Sequence, residues 1–234
     1  MTLHNGHRQR VRERFLSDGL DSFNEHQVLE MLLFYCCPRK DTNELAHRLI
    51  EEFGFLVRVL EAPVKELEKI PEIGHNAATF ISFASAFSRY YMVCRTKEQG
   101  NILHTVDDCG RYLLPHFLGR INEVVYILCL DAKCKVLCCK MVGEGSVNSA
   151  GVPIRKLVEI ALGSNATSVV LAHNHPSGLA IPSGEDVVTT ERVSAALRSV
   201  DIILSDHIVF SDNDYVSMVQ SQYFDPKHSY TNIR

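Results

Sequence analysis

The most chemically loaded string in the chain is HNHPSGLAIPSGED, residues 173–186. Residues 168–172 just before it are rich in β-branched types, which predicts a strand with His173 and His175 at its end. Side chains alternate along a strand, so residues i and i+2 share a face and both imidazoles can address one point. Pro176 has no N–H to give a ladder and ends the strand. Gly178 and Pro182 bend the loop back, Ser183 opens the next helix, and Asp186 falls in its first turn. Two neutral imidazoles and one carboxylate make a three-ligand zinc site whose fourth position is open to water, the catalytic rather than the structural pattern. His173, His175 and Asp186 are therefore the candidate ligands and Zn2+ the expected cofactor. Taken singly the parts are plainer. Ser183 and Asp186 alone are a helix cap with an acidic first turn, and two histidines two apart are commonly edge-strand polar residues. Their joint spacing carries the metal site.

Such a site needs a frame of strands and helices, and the second half of the chain supplies one. β-rich runs cover residues 123–130, 135–141, 168–172 and 202–210, with helical patterns around 155–162 and over 186–198. Strands interleaved with helices predict an α/β domain with a mixed sheet. The first third reads as helices instead. Ser22-Phe23-Asn24-Glu25 opens one that Pro38 ends, and Thr42 offers the N-cap of a second that stops at Gly54. A third element covers residues 64–70 and leads through Pro71-Glu72-Ile73-Gly74 into an apolar helix over 77–87. Residues 94–105 are polar and broken by Gly100, which places a boundary between a helical domain (1–95) and an α/β domain (105–227).

Composition excludes several classes. The 234 residues carry 24 Lys+Arg against 28 Asp+Glu, a formal charge of -4, so the chain lacks the broad basic coat of a non-specific nucleic-acid binder. No apolar run approaches the roughly 18–20 residues of a membrane span, so no membrane partner is expected. The opening MTLHNGHRQRVRERF has no apolar signal-peptide core, which makes the cytoplasm the expected compartment. The eight cysteines follow no regular framework and read as reduced thiols. Cys134 and Cys138 find no second Cys/His pair at zinc-finger spacing.

The site string resembles that of the JAMM (MPN) metalloproteases, His-x-His-Pro, six residues, then Ser-x-x-Asp. His173, His175, Pro176, Ser183 and Asp186 match it at every position. LAHNHPSG, the DHIVF of residues 206–210 and the YVSM of 215–218 narrow the resemblance to the RadC group, whose name ties it to DNA repair. GHRQRVRERF, LEMLLFYCCPRKDTNELAHRLIEEFG and the IPEIG turn extend it over the front part, with a helix-hairpin-helix-like fold implied there. The resemblance implies a zinc-dependent hydrolase acting on a peptide or isopeptide substrate. It also implies a general-base glutamate on an early strand and a serine, here Ser183, that helps hold the oxyanion. Glu123 in NEVVYILCLD fits that order, and Glu144 in VGEGS is its rival.

Two departures stand out. Ile154 separates Pro153 from Arg155 where the family pairs Pro with Arg. Glu72 stands where the first glycine of a DNA-binding hairpin belongs, and its carboxylate would repel a phosphate. DNA contact through the N-terminal domain, at this turn or through Arg8, Arg10, Arg12 and Arg14, is the alternative partner. A nuclease-like repair factor and a non-catalytic scaffold are the competing functions. The substring HNH does little for the former, because nuclease residues of that name are dispersed over a ββα unit. His207, inside an apolar strand, reads either as a core histidine or as a neighbour of the metal ligands.

Overall fold

The computed structural model describes residues 3–38, 40–98, 102–145, 152–176, 178–211 and 214–227. The chain divides into two compact units, Met1–Ser88 and Arg89–Arg234.

The first unit is helical. It holds α1 (Leu3–Asp18), α2 (Glu25–Cys36), α3 (Thr42–Phe53), α4 (Leu56–Glu61), α5 (Val64–Leu67) and the start of α6 (His75–Glu98). Its core is built from Leu29, Leu33, Leu45, Leu49, Leu67 and Ile81, the apolar positions of α2, α3, α5 and α6. Asn24 and Gln27 form the capping box that starts α2. The cap of α3 is Asp41 rather than Thr42: its carboxylate accepts from the amides of Asn43 and Glu44 at 3.0 and 3.2 Å, and Thr42 is already helical. The element expected over 64–70 is one turn long, and α4 before it escapes a periodicity reading because six residues hold too few repeats. α6 runs on to Glu98, through residues placed at the polar boundary. Polarity there marks an exposed stretch, yet Arg, Lys and Glu are good helix formers.

Arg8 and Arg14 of α1 are tied to α2 and the chain after it. Arg8 donates to the carbonyls of Cys37, Pro38 and Lys40, and Arg14 to the Gln27 side chain. Arg8 and Arg12 also lie over the Phe34 ring and Arg14 over Phe23. At the IPEIG turn, Glu72 takes φ +74°, the left-handed region that glycine favours. Lys40 Nζ donates to its carbonyl at 2.6 Å, and Arg48 stands 3.5 Å from its carboxylate.

The second unit contains α7 (Val106–Phe117), β1 (Val124–Leu130), β2 (Val136–Glu144), α8 (Ile154–Gly163), β3 (Ser168–Asn174), α9 (Gly184–Arg198), β4 (Ile203–Ser211) and β5 (Asp214–Ser217). The five strands form one mixed sheet in the order β2-β1-β3-β4-β5. Only β3 and β4 are parallel, and α9 makes the crossover that a parallel pair requires. α8 and α9 cover one face, around Val125, Ile127, Leu157, Leu171 and Val193, and α7 covers the other, around Leu113, Tyr126, Leu128 and Phe210. This double cover explains why β1 and β3 read as unbroken apolar runs. α7 was missed because its cap, Thr105, lies in the polar stretch and Pro115 interrupts the pattern; β5 is too short to show a period. No helix among the described residues is long and apolar enough to cross a membrane.

Candidate metal centre

β3 delivers His173 at its C-terminal end, and His175 follows one residue past the strand. The His175 amide donates to the Phe210 carbonyl at 2.8 Å, so β4 continues to hold the chain beyond the ladder. The loop then folds back. His175 Nδ1 lies 3.2 Å from the Leu179 carbonyl, and the Ser211 hydroxyl donates to the Gly178 carbonyl. Ser183 caps α9, which brings Asp186 round to the histidines.

The three side chains converge. His173 Nε2 is 3.0 Å from His175 Nε2 and 3.1 Å from Asp186 Oδ1, and His175 Nε2 is 3.5 Å from Asp186 Oδ2. Tetrahedral donors at zinc distances stand about 3.3 Å apart, so the spacing suits such an ion. His175 shows the same in its protons. A carbonyl only accepts, so Nδ1 gives its proton to Leu179, and in the neutral imidazole Nε2 is then the lone pair that faces the Asp186 carboxylate. Two lone-pair donors facing each other fit a cation between them. His173 and Asp186 are buried and His175 is half-buried, which leaves one side of the group open. Among the described residues, this is the one His/Cys/Asp/Glu cluster with metal-binding geometry.

Burial works against the Asp186 charge. The hydroxyl and amide of Ser183 favour it. Both Ser183 groups are close, the hydroxyl 2.6 Å and the amide 2.7 Å from Asp186 Oδ2. Thus Ser183 and Asp186 are a helix cap, as their spacing alone suggests, and part of the cluster at the same time.

Comparison with known proteins agrees with this arrangement. A family profile described as the RadC-like JAB domain matches residues 103–223. A UPF0758 protein of Fusobacterium nucleatum is 30% identical over 221 residues, 92% of this chain and 95% of its own length. UPF0758 proteins of Ruegeria pomeroyi and Nitrosococcus oceani are each 32% identical, over 87% and 91% of this chain and 90% and 94% of theirs. The chain belongs to the RadC family.

In this RadC-family chain the sheet also sorts the two candidate glutamates. β1 runs antiparallel to β3 with Val125 opposite His173, and Glu123 is the residue just before β1. Two residues apart on an extended chain, Glu123 has the parity of Val125, the partner of His173. Glu144 pairs with Val124, whose side chain lies in the α7 core, and a bulge at Val125/Tyr126 produces this flip. Glu144 is exposed and accepts from Asn122 Nδ2 at 3.3 Å.

Asn174 is the middle letter of HNH. Its buried amide accepts from the Val124 N–H at 2.8 Å and donates to the Asn122 carbonyl at 3.2 Å, gripping the backbone on both sides of Glu123. Sequence reasoning passed over it, and its place between the two histidines was the available signal. Thr190 was also missed; one helical turn beyond Asp186, it was findable from i, i+4 spacing. His207 is both things expected of it. It is fully buried, which with the nearby His173 keeps its pKa well below the ordinary range, and its Nε2 is 2.8 Å from His173 Nδ1. The departing residue Arg155 is exposed and pairs with Glu159 on its own helix.

Proposed function

We propose that the second unit is a zinc-dependent hydrolase of JAMM type, acting on peptide or isopeptide bonds, with His173, His175 and Asp186 as ligands. The convergence of three donors with 3.0–3.5 Å between them carries this reading. When bound, zinc would supply a water of lowered pKa and a Lewis acid for the scissile carbonyl.

Around it each side chain has its own task. Glu123, with the parity of the residue opposite His173, takes the water's proton and returns it to the leaving amine, and Asn174 fixes the backbone that presents it. The Ser183 hydroxyl directs its one proton at Asp186 Oδ2, so stabilising an oxyanion requires turning that proton towards substrate. A scaffold would need none of the ligand set. One metal with a glutamate and a serine suits amide hydrolysis better than phosphodiester cleavage, for which paired metals on carboxylates are common. Arg8 and Arg14 of α1 donate to α2 and its C-terminal end, whereas Arg10 and Arg12 are exposed.

The test is metal analysis of the purified protein, followed by parallel screens on peptide, isopeptide-linked and DNA substrates. Stoichiometric zinc with amide hydrolysis supports the reading; DNA cleavage in the same preparation would move it to the repair-nuclease class. We also propose that a fragment from about residue 105 onward folds and holds zinc, since every site residue lies beyond that point.

A further inference from the structure

Thr190 is fully buried on α9, and its Oγ1 has two close polar neighbours, the Asp186 carbonyl at 2.5 Å and His207 Nδ1 at 2.6 Å. A hydroxyl has one proton to give. The carbonyl can only accept, so the proton goes there; Met218 Sδ at 3.5 Å is a weak competitor. Thr190 must then accept from His207 Nδ1–H. A neutral imidazole carries a single ring proton, so His207 Nε2 is a lone pair, and the proton in the 2.8 Å contact with His173 belongs to His173 Nδ1. That leaves His173 Nε2 unprotonated, aimed at His175 Nε2 and Asp186 Oδ1. The reverse order would turn the hydroxyl proton to His207 and leave Thr190 Oγ1 and the Asp186 carbonyl oxygen 2.5 Å apart with no proton between them.

We propose that His207 and Thr190 are positioning residues that lock His173 as a metal ligand, through a one-way hydrogen-bond chain from its Nδ1–H to the main chain of Asp186. The proposal rests on the metal-centre reading above. The chain closes a ring, because Asp186 meets His173 again through its carboxylate. Three elements, β3, β4 and α9, are thereby tied at the atoms that set the donor spacing. Such outer partners fix the tautomer of a ligand histidine and raise its basicity.

Two measurements test it. Imidazole 15N shifts of the metal-free wild-type protein should show His173 protonated on Nδ1, and protonation on Nε2 overturns the proposal. Zinc competition against a chromophoric chelator should show His207→Leu and Thr190→Val binding about 10–100-fold more weakly. His207→Gln, which keeps an acceptor and a donor on one side chain, should recover most of that loss. Wild-type affinity in His207→Leu overturns the proposal. Should that variant fail to fold by circular dichroism, Thr190→Val decides, since its shape is unchanged and unaltered zinc affinity there is equally fatal. A wild-type protein that takes up no zinc would break the metal-centre reading instead, while the 15N experiment still reports on the chain.

Discussion

Two helices of the second unit begin with the same device and end up with different functions. α7 starts at Thr105 with Asp108 three residues on, and α9 at Ser183 with Asp186. In both, the hydroxyl accepts from the third amide at 3.1 Å and the carboxylate accepts from the capping residue's own amide. What differs is the neighbour of the second carboxylate oxygen. At Asp108 it is the Arg111 side chain, 2.8 Å away on the protein surface. At Asp186 it is a buried imidazole, His173 Nε2 at 3.1 Å. A capping box is local chemistry, and it becomes a metal ligand only where the fold sets other donors in front of it.

The sharpest way to break this comparison is to remove each acid. Asp186→Ala should abolish stoichiometric zinc by elemental analysis, whereas Asp108→Ala should keep it; equal zinc in both would end the assignment of Asp186. Next comes the proposed general base. Glu123→Gln should keep its zinc and lose about 10²–10⁴-fold in amide hydrolysis, with Glu144→Gln close to wild type. The reverse ranking would mean that strand parity does not identify the base.

Smaller effects separate capping from catalysis. Thr105→Ala and Ser183→Ala should each cost about 1 kcal/mol in urea unfolding of the metal-free protein. Only Ser183→Ala should also lower turnover. The smallest effect is a matter of pH. The hydroxyl and amide of Thr105, then Arg111, depress the Asp108 carboxyl from 3.8 to about 2. A depressed acid stabilises the fold fully above its unfolded pKa and ceases to do so as pH falls through the folded one. The stability gap between wild type and Asp108→Asn should therefore be constant above about pH 4 and close towards pH 2. A gap that widens on acidification would contradict the sign.

Much of the frame was legible because its signals are local. β1, β3 and β4 announce themselves as apolar runs, α3 and α8 as amphipathic helices, and the start of α2 as the Ser22-Phe23-Asn24-Glu25 stretch before its apolar residues. α4 and β5 were hidden because six or four residues cannot display a period, and α7 because a polar start and an internal proline imitate a linker. The end of α6 was misjudged because exposure and helicity are separate properties.

By itself, the sequence determined the donor types and their order. His173 and His175 share a face because a strand alternates, and Asp186 opens a helix because Ser183 caps it; both rules act within a few residues. The tertiary structure alone decided what those donors meet. Glu123 lies 50 residues before His173 in the chain, and only the antiparallel β1–β3 register gives it the parity of the residue opposite His173 while a bulge turns Glu144 away. Asn174 became a clamp because β1 begins beside it, and His207 reached His173 because β4 runs parallel to β3 with Leu171 opposite His207. These are long-range pairings, fixed by sheet register and burial, and no local spacing encodes them.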